Sequence, residues 1–383
     1  MKICYVSQNQ LHLWENGETA ALSSQRMEQY FRTLEDLDKR NAWKTEGTSA
    51  RFQGQHNPYE HMAENARVTY TAVALSANHL YYALNLNNET GCIQRKTLSD
   101  PNGPEGMVLS NRGFVGEDFC LQGERAFLSV QSIRGQWHIA MLNPENGRYD
   151  TITSGDTVDS HPVLSRDGNC LYYDAAGYAR NEDGMVLGKG PRSVLRLNLN
   201  TNQLDDVLED EKTNFARYEE DGTGGYYVMA RPYTPPKIRE GGNPLGCLMA
   251  PWYMIRGMFT FFTAIGKLKK DGNVPAASGP SAAKQTMHLD GEWVDVQKAL
   301  TENQRSGAPY PGLVPASWTL EKGSPDGTRR TLAKGVLHYQ LLPDGTLYYT
   351  NGRHIIRRTP EGKEESLVQG KAITLFAVLP EEA

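Results

Sequence analysis

Two histidines are the residues of this sequence best placed for chemistry near neutral pH. His161 and His338 each stand near the start of a predicted strand, and imidazole is the side chain that most readily exchanges protons or binds a metal in this pH range. Asp159, Arg217 and Gln340 occupy comparable positions in their own segments. If these strand starts converge, the set could hold a divalent cation or act as acid and base on a small substrate. The simpler interpretation, which we favour, is that these polar side chains line an internal channel and are bridged by water.

Established catalytic and cofactor motifs are missing from the sequence. It contains no Gly-x-Ser-x-Gly elbow, no Walker loop, no His-Glu-x-x-His zinc motif and no EF-hand loop. His56 and His61 share a loop, but a spacing of five residues is a poor ligand geometry. The five cysteines form no Cys-x-x-Cys pair, so we expect reduced thiols. The sequence therefore predicts neither a resident metal nor a cofactor, and it favours a protein without catalytic activity.

Composition favours a soluble protein built from many short strands. The 383 residues include 37 Gly, 20 Pro and 19 Tyr, a set typical of turns and strands rather than of long helices. The net charge of −5 gives no argument for a nucleic-acid partner. The N-terminal residues alternate in polarity and contain no apolar signal segment, so we expect a cytoplasmic location.

A repeated unit of alternating strands and tight turns runs along the chain. Its clearest copy is Val158–Leu208, where HPVLSRDGNCLYYD gives a strand, an Asp-Gly turn and an aromatic strand. Asp-Gly between alternating apolar residues is a strong hairpin signal because its backbone tolerates positive φ. Tyrosine doublets mark the equivalent point of four units: Tyr81-Tyr82, Tyr172-Tyr173, Tyr226-Tyr227 and Tyr348-Tyr349. This recurrence predicts an all-β repeat architecture.

The repeat count predicts a six-bladed β-propeller that is closed by both chain ends. The C-terminal strand Ala372–Leu379 would join the N-terminal strands as the innermost strand of their blade, which leaves no free sheet edge. The first predicted blade combines Ala372–Leu379 with Lys2–Leu22. The next three are 66–98, 112–153 and 157–208. The fifth begins at 213 and resumes at 316–334 after the insertion, and the sixth is 335–369. A seven-bladed form is the alternative if the long insertion in blade five hides another sheet.

The phrase HPVLSRDGNCLYY resembles the strand–turn–strand core of TolB-type (WD40-like) propeller repeats, whose usual pattern is Pro-x-x-Ser-Pro-Asp-Gly. Pro162, Ser165, Asp167 and Gly168 match this pattern, and Arg166 replaces the second proline. Pro343-Asp344-Gly345 gives a second, shorter match. The resemblance implies a bacterial β-propeller within a single domain, 1–383. It implies no single function, because the fold serves binding proteins and enzymes alike.

The first insertion, 23–65, separates blades one and two. Within it, Ser24–Arg40 has the spacing of an amphipathic helix whose apolar face consists of Met27, Tyr30, Phe31, Leu34 and Leu37. We expect this face to pack on the rim of the propeller. Docking of a partner protein is the alternative.

The second insertion, 234–315, interrupts blade five and contains the apolar segment Pro251–Lys270. A helix here has one narrow polar stripe, and its other faces carry Trp252, Ile255, Met258, Phe259, Phe262 and Ile265. A transmembrane span needs about 20 apolar residues, so we do not expect this segment to cross a membrane. Burial against the propeller and exposure to a partner or a membrane surface both stay open. Downstream, Gly272–Lys284 predicts a flexible tether and Glu292–Leu300 a short helix.

These patterns predict a non-catalytic scaffold that binds a protein partner through its rim and the apolar segment. The six apolar residues between Trp252 and Ile265 are the predicted contact residues. Resemblance to bacterial propellers without a leader implies ATPase or von Willebrand A-type partners. The alternative is a propeller hydrolase or lyase acting on a small substrate at the channel mouth, which requires His161 and His338 to approach a common point.

Overall fold

The computed structural model describes residues 1–45, 62–122, 125–132, 135–180, 186–235 and 286–380; for 42–45 and 65 it describes the backbone alone. The chain divides into two compact units, which are described separately. The first consists of Met1–Ala126, Leu142–Tyr149 and Leu375–Ala383, and the second of Phe127–Met141 and Asp150–Thr374. The predicted contact residues from Trp252 to Ile265, together with His56 and His61, lie outside the described residues.

Strands make up most of the described chain. In chain order they begin with β1 (Lys2–Ser7), β2 (Gln10–Glu15), β3 (Glu18–Leu22), β4 (Val68–Leu75), β5 (His79–Leu86), β6 (Thr90–Thr97), β7 (Gly106–Arg112), β8 (Gly116–Gln122) and β9 (Arg125–Gln131). They continue with β10 (Trp137–Leu142), β11 (Tyr149–Thr151), β12 (Thr157–Leu164), β13 (Cys170–Arg180), β14 (Val186–Lys189), β15 (Ser193–Asn198), β16 (Leu204–Leu208), β17 (Thr213–Glu220) and β18 (Tyr226–Pro232). The last are β19 (Thr286–Leu289), β20 (Glu292–Asp295), β21 (Thr319–Gly323), β22 (Arg329–Lys334), β23 (His338–Leu341), β24 (Leu347–Thr350), β25 (His354–Arg358), β26 (Glu364–Gln369) and β27 (Ile373–Leu379). The described helices are α1 (Gln25–Thr45), α2 (Met62–Asn65) and α3 (Val296–Arg305).

Two four-stranded sheets form the body of the first unit. Their strand orders are β27-β1-β2-β3 and β4-β5-β6-β7. The pairing of β27 with β1 confirms that the C-terminal strand completes the N-terminal sheet. The second sheet extends past its predicted end at residue 98, because β7 pairs with β6. The Pro- and Gly-rich sequence DPNGPEG, 100–106, precedes β7 and obscured that strand in the sequence pattern.

The second unit contains the sheets β17-β18-β21-β22 and β23-β24-β25-β26. It also contains β16-β15-β13-β12-β10-β9, in which β10 and β12 meet as a parallel pair only at Trp137 and Val158. β18 pairs with β21 across the whole second insertion, so the prediction that this sheet resumes after the insertion is confirmed. The architecture is all-β, as predicted, and the number of blades stays a prediction.

The tyrosine doublets lie on the second strand of their sheets. They occupy β5, β13, β18 and β24, and every member except Tyr226 is buried. Because neighbouring residues of a strand point to opposite faces, a buried doublet means that the strand is covered on both faces. This explains why an aromatic pair recurs there instead of an apolar–polar alternation.

Helix α1 is attached to the first unit by apolar packing and by one buried carboxylate. Met27, Tyr30 and Phe31 pack on the core of the unit, so the expected packing is observed. At the start of the helix, Glu105 accepts the backbone N–H groups of Gln25 and Arg26, at 3.0 and 3.1 Å. These are N–H groups that a helix leaves without an internal partner. The Lys96 ammonium balances the Glu105 charge at 3.1 Å, and both side chains are almost fully buried.

The described end of the second insertion, from residue 286 onwards, differs from its prediction. The sequence pattern predicts a helix over Glu292–Leu300, but Glu292–Asp295 forms β20 and pairs with β19 in a hairpin. The helix α3 starts only at Val296, after Asp295 caps it by accepting the backbone N–H of Lys298. The two central turn residues, Asp290 and Gly291, both have positive φ, which is the type I′ geometry that Asp-Gly favours.

Within the described part of the chain, no helix is long and apolar enough to cross a bilayer.

The Glu105 contact predicts how firmly α1 is held. In Glu105→Gln, Lys96 loses its buried counter-charge, so we expect the free energy of unfolding in urea to fall by about 3 kcal/mol. Amide hydrogen exchange in the first turns of α1 should accelerate as well. The control is Glu28→Gln, which removes an exposed pair with Arg32 on the same helix and should cost less than about 0.5 kcal/mol. Equal costs for the two variants would contradict the anchoring role.

Candidate functional site

Two of the predicted site residues, His161 and Arg217, sit in β-bulges of corresponding strands. The register of β12 shifts between Ser160 and Val163, and that of β17 shifts between Ala216 and Glu219. His161 has φ +52° and Arg217 has φ +55°, a left-handed conformation that costs a residue with a side chain on the order of 1 kcal/mol. A bulge redirects the side chain that it carries. The His161 side chain thereby reaches both Asp174 and Asp290, and the Arg217 side chain reaches Asp290.

The imidazole of His161 lies between two carboxylates. Its Nδ1 is 2.7 Å from Oδ1 of Asp174, on the neighbouring strand β13, and its Nε2 is 2.7 Å from Oδ1 of Asp290. His161 is only 4% exposed. A neutral imidazole can donate from one nitrogen only, whereas an imidazolium donates from both. With two ionised carboxylates, this geometry requires the imidazolium form of His161.

The neighbouring cations lower the pKa of both carboxylates, which favours their ionised forms. Burial alone would raise the pKa of Asp174, but His161 and Arg192 outweigh it and lower that pKa. Burial would also raise the pKa of Asp290, and there His161, Arg231 and Arg217 hold the pKa well below its usual range.

Asp174 joins three elements of the second unit. In addition to His161, its carboxylate accepts a hydrogen bond from the Arg192 guanidinium at 2.5 Å. It also accepts one from the backbone N–H of Arg217 at 3.2 Å. The second contact uses the N–H of the bulged residue, so the bulge in β17 and the position of Asp174 support each other.

Asp290 brings the β19–β20 hairpin into the same cluster. Its carboxylate accepts a hydrogen bond from the Arg231 guanidinium and lies 3.5 Å from that of Arg217. The guanidinium of Arg231 also stacks on the Trp318 ring, 3.8 Å from its centroid. Burial lowers the pKa of Arg231, and Asp290 opposes that shift. The turn of the second insertion therefore supplies the counter-charge for a guanidinium that is buried in the sheet.

We call these six charged residues, His161, Asp174, Arg192, Arg217, Arg231 and Asp290, the His161 cluster. His161 Nε2 and Asp290 Oδ1 are atoms of the types that bind divalent cations. They are hydrogen-bonded to each other here, so a cation at this point would have to displace the imidazole proton. The cluster is thus arranged to neutralise buried charges.

His338 interacts electrostatically with members of the cluster, and its approach to a common point with His161 stays a prediction. It opens β23, its Nδ1 is shielded from solvent, and it lies within electrostatic reach of Arg217, Asp290 and His161. Burial, with Arg217 as the next cause, lowers the pKa of His338 well below its usual range, so the ring is neutral. Gln340 follows two residues later on the same strand and pairs with Tyr348.

The side-chain contacts of Asp159 are with residues outside the cluster, and its place beside His161 stays a prediction. Its carboxylate accepts a hydrogen bond from Thr153 at 2.6 Å and lies 3.6 Å from Nδ1 of the buried His138. In a regular strand, Asp159 and His161 would share one face. The bulge at His161 breaks that alternation.

Sequence reasoning missed four members of the cluster: Asp174, Arg192, Arg231 and Asp290. Asp290 carried a usable signal, since Asp-Gly in MHLDGEW lies between alternating residues and is typical of a hairpin turn. The other three stand in or beside strands without any local motif. Their roles depend on partners far away in the sequence.

Comparisons with known proteins establish the fold. No family model matches the chain, and no curated protein matches it either. Among solved structures, TolB from Acinetobacter baumannii matches with a TM-score of 0.51 at 11% identity, covering 98% of this chain and 66% of that one. The chain therefore spans a little less than two thirds of that TolB. A putative TolB from Agrobacterium tumefaciens matches with a TM-score of 0.43 at 10% identity, covering 80% of this chain and 82% of that one.

An oligogalacturonate lyase in complex with manganese is also similar, with a TM-score of 0.39 at 10% identity, covering 80% of this chain and 68% of that one. At such identities the likeness to these structures concerns the fold alone.

The Asp290 contacts predict a large cost for removing one charge from the turn. Asp290→Asn keeps the size of the side chain and its tolerance of positive φ, but it removes the counter-charge that faces Arg231 and Nε2 of His161. We expect the free energy of unfolding at pH 7 to fall by about 3 kcal/mol. Asp295→Asn, on the same hairpin, is the matched control, because Asn caps a helix about as well as Asp. If both variants unfold at the same urea concentration, Asp290 does not neutralise buried charge.

The neutral state of His338 predicts a pH dependence of stability. Below the unfolded-state pKa of about 6.5, the unfolded chain binds a proton that the folded His338 does not bind. Stability should therefore fall as the pH drops from about 6.5 towards the lowered folded pKa, by at most about 1.4 kcal/mol per pH unit from this residue. In His338→Gln this contribution disappears, so urea unfolding between pH 5 and 6.5 should show a shallower slope. His288→Gln, an exposed site, controls for the loss of a histidine. An unchanged slope in His338→Gln would show that His338 is protonated in the folded protein.

Proposed function

We propose that this chain, a TolB-like β-propeller, is a scaffold that binds a protein partner. The His161 cluster then has a structural role, which is to hold the β19–β20 hairpin on the sheet. One observation carries the proposal: both nitrogens of His161 are hydrogen-bonded to carboxylates of the protein itself, Asp174 and Asp290. General acid–base catalysis needs a group that can reach the substrate and change its protonation state. An imidazolium that is 4% exposed and held from both sides meets neither condition.

The β19–β20 hairpin, whose turn residue Asp290 belongs to the cluster, also presents an exposed aromatic surface. Trp293 on β20 is 73% exposed and forms an edge-to-face pair with His288 on β19, at 5.2 Å between ring centroids. The opposite face of the hairpin is fixed, since Leu289 and Val294 belong to a buried apolar cluster. Tryptophans held on a rigid support are typical anchors of protein interfaces. This surface supports partner binding at the second insertion.

The same insertion contains the apolar segment Pro251–Lys270. Its six predicted contact residues, from Trp252 to Ile265, lie outside the described residues, and their binding to a partner is a proposal from the sequence. The segment ends at Lys270, and β19 begins at Thr286. Because the two are close in the sequence, we propose that one partner contacts both the segment and the hairpin. The proposal keeps the cytoplasmic location predicted from the sequence.

Affinity capture from the native host tests the scaffold. The bait proteins are the intact chain, a variant in which a short Gly-Ser linker replaces Gly241–Lys284, and Trp293→Ala. We expect the intact chain to retain one stoichiometric partner and the deletion to lose it. With the purified partner, Trp293→Ala should weaken binding about tenfold or more.

Met107→Ala is the matched control, because Met107 is also a large exposed apolar residue, at 66%, and lies in the first unit. Equal retention by all four baits would place the binding site away from the second insertion. Failure of the intact chain to retain any partner would contradict the scaffold proposal.

Catalysis at the His161 cluster is the second candidate function. It is favoured by one observation: a histidine between two carboxylates is also the arrangement of a proton relay. The hairpin turn would have to leave the cluster before a substrate could enter. Turnover of chromogenic ester, peptide or polyuronide substrates that is abolished in His161→Gln would support this function. Turnover that survives in His161→Gln would exclude it.

A further inference from the structure

A cavity in the second unit shares no lining residue with the His161 cluster. Its volume is about 470 Å³, and its lining consists of Leu300, Leu313, Arg353, Gln369, Gly370 and Lys371. These residues come from α3, from the loop that precedes β21, from the turn between β24 and β25, and from the end of β26 with the two residues that follow it. The volume is within the range of cavities that bind small ligands or a few side chains of a peptide.

The floor of the cavity is apolar and firmly held. Leu313 belongs to a buried cluster with Val314, Trp318 and Leu337, and Leu300 packs against that cluster. The backbone N–H of Leu313 donates to the carbonyl oxygen of Asn351 at 2.8 Å. The Asn303 side chain of α3 donates to the carbonyl oxygens of Gly312 and Val314 on either side of Leu313, at 3.0 and 2.9 Å. The floor is therefore formed before any ligand arrives.

Arg353 is held at the cavity by a tight turn. The Asn351 side chain accepts the backbone N–H groups of Arg353 and His354, at 3.0 and 2.9 Å. Gly352 between them has φ +85°, and a Cβ there would approach Cβ of Leu313 to 3.1 Å, so glycine suits this position best. The carbonyl oxygen of Arg353 accepts the N–H of Gly370 at 2.8 Å, which joins the turn to the segment carrying Lys371.

Among the described residues, the two cations of the lining, Arg353 and Lys371, have no acidic partner. The neighbouring arginines of β25 are paired across the hairpin, Arg357 with Glu365 at 2.6 Å and Arg358 with Glu364 at 2.8 Å. In the part of the chain that the structure describes, neither Arg353 nor Lys371 takes part in an ion pair, and no acidic residue lines the cavity. Burial is the main cause that lowers the pKa of His354, and the positive charge of Arg353 is the next. The charge of Arg353 therefore acts on its neighbour. An apolar floor with two unbalanced cations is complementary to a ligand that is apolar with an adjacent negative charge.

We propose that this cavity docks a peptide segment of a partner protein that combines a large apolar side chain with an acidic neighbour. The apolar side chain packs on Leu300 and Leu313, and the carboxylate pairs with Arg353 and Lys371. The bidentate geometry of a guanidinium suits a carboxylate especially well. This inference rests on the proposed scaffold function and adds to it the chemistry of the partner.

A random heptapeptide display library, selected on the intact protein, tests the proposal. We expect the selected peptides to be enriched in Asp or Glu next to Leu, Ile, Phe or Trp. The most enriched peptide, synthesised with a fluorophore, is then titrated by fluorescence polarisation. Arg353→Glu/Lys371→Glu should weaken its binding at least tenfold, and raising the salt from 50 to 500 mM should weaken binding to the intact protein.

Arg330→Glu/Lys363→Glu is the matched control, because both residues are exposed, belong to the same unit and give the same change in net charge. It should bind the peptide within about twofold of the intact protein, since rim charges away from a site mainly alter encounter rates. Leu300→Ala should weaken binding without changing its salt dependence. Circular dichroism and thermal unfolding identify any variant that loses its fold, and Leu300→Ala tests the site independently of the charge reversal.

Three results would overturn the docking site. The first is the selection of peptides without acidic residues. The second is equal peptide affinity of the charge-reversed and control variants. The third is an affinity of Leu300→Ala equal to that of the intact protein. Failure of this inference is distinguishable from failure of the scaffold. A host partner that is lost on deletion of 241–284 but kept by Arg353→Glu/Lys371→Glu refutes the cavity alone. A peptide that binds the cavity, with no host partner captured, refutes the scaffold proposal alone.

Discussion

The second unit depends on the neutralisation of buried charge by Asp290. Arg231 is 6% exposed and His161 is 4% exposed, and transfer of each cation from water costs several kcal/mol that only a close counter-charge can offset. Asp174 is engaged by Arg192, His161 and the N–H of Arg217, so the remaining positive charge needs the carboxylate that the hairpin turn provides. The left-handed conformations of His161, Arg217 and Asp290 are all maintained by this one set of contacts. The hairpin is consequently part of the folded unit rather than an appendage.

Each insertion is attached by a carboxylate that crosses between the insertion and the sheet. The carboxylate comes from outside the insertion in the first unit and from within it in the second. In the first unit, the carboxylate of Glu105 precedes a sheet strand and reaches the start of the inserted helix α1. In the second unit, the carboxylate belongs to the inserted hairpin and reaches the cations of the sheet. Apolar contacts alone would tolerate a helix or hairpin that slides by one residue, whereas a buried ion pair fixes a single register. Such pairs contribute to specificity more clearly than to net stability.

The sequence predicted those features that local patterns encode. Alternating residues, Asp-Gly turns and tyrosine doublets identified the strands, and the polarity of Ala372–Leu379 identified the strand that pairs with β1. Three kinds of feature were beyond such reasoning. β7 lies next to a Pro- and Gly-rich stretch, β20 reads equally well as a helix, and the bulges at His161 and Arg217 occur at residues that rarely adopt positive φ. Of the predicted site residues, His161 and Arg217 share the acidic partner Asp290, which lies 129 residues from His161 in the sequence. Asp174 lies in the same repeat as His161, 13 residues away. The contact with Asp290 joins the second insertion to that repeat, so no pattern within a single repeat specifies it.

In the second unit, the charged side chains of the His161 cluster are paired with each other, whereas the two cations at the cavity beside Leu313 are unpaired among the described residues. This difference separates a structural site from a site that can bind a ligand. Within the His161 cluster, each charged side chain faces an opposite charge of the same protein, and a ligand could enter only by breaking pairs that are costly to break. At the cavity beside Leu313, two cations face an apolar floor without a counter-charge from the described residues, so a ligand gains electrostatic energy there and breaks no ion pair of that part of the chain. The same argument applies to Trp293, whose exposed ring loses unfavourable contact with water when a partner covers it. Binding is therefore favoured at the surface and opposed at the cluster, and this contrast is the physical basis of the proposed scaffold function.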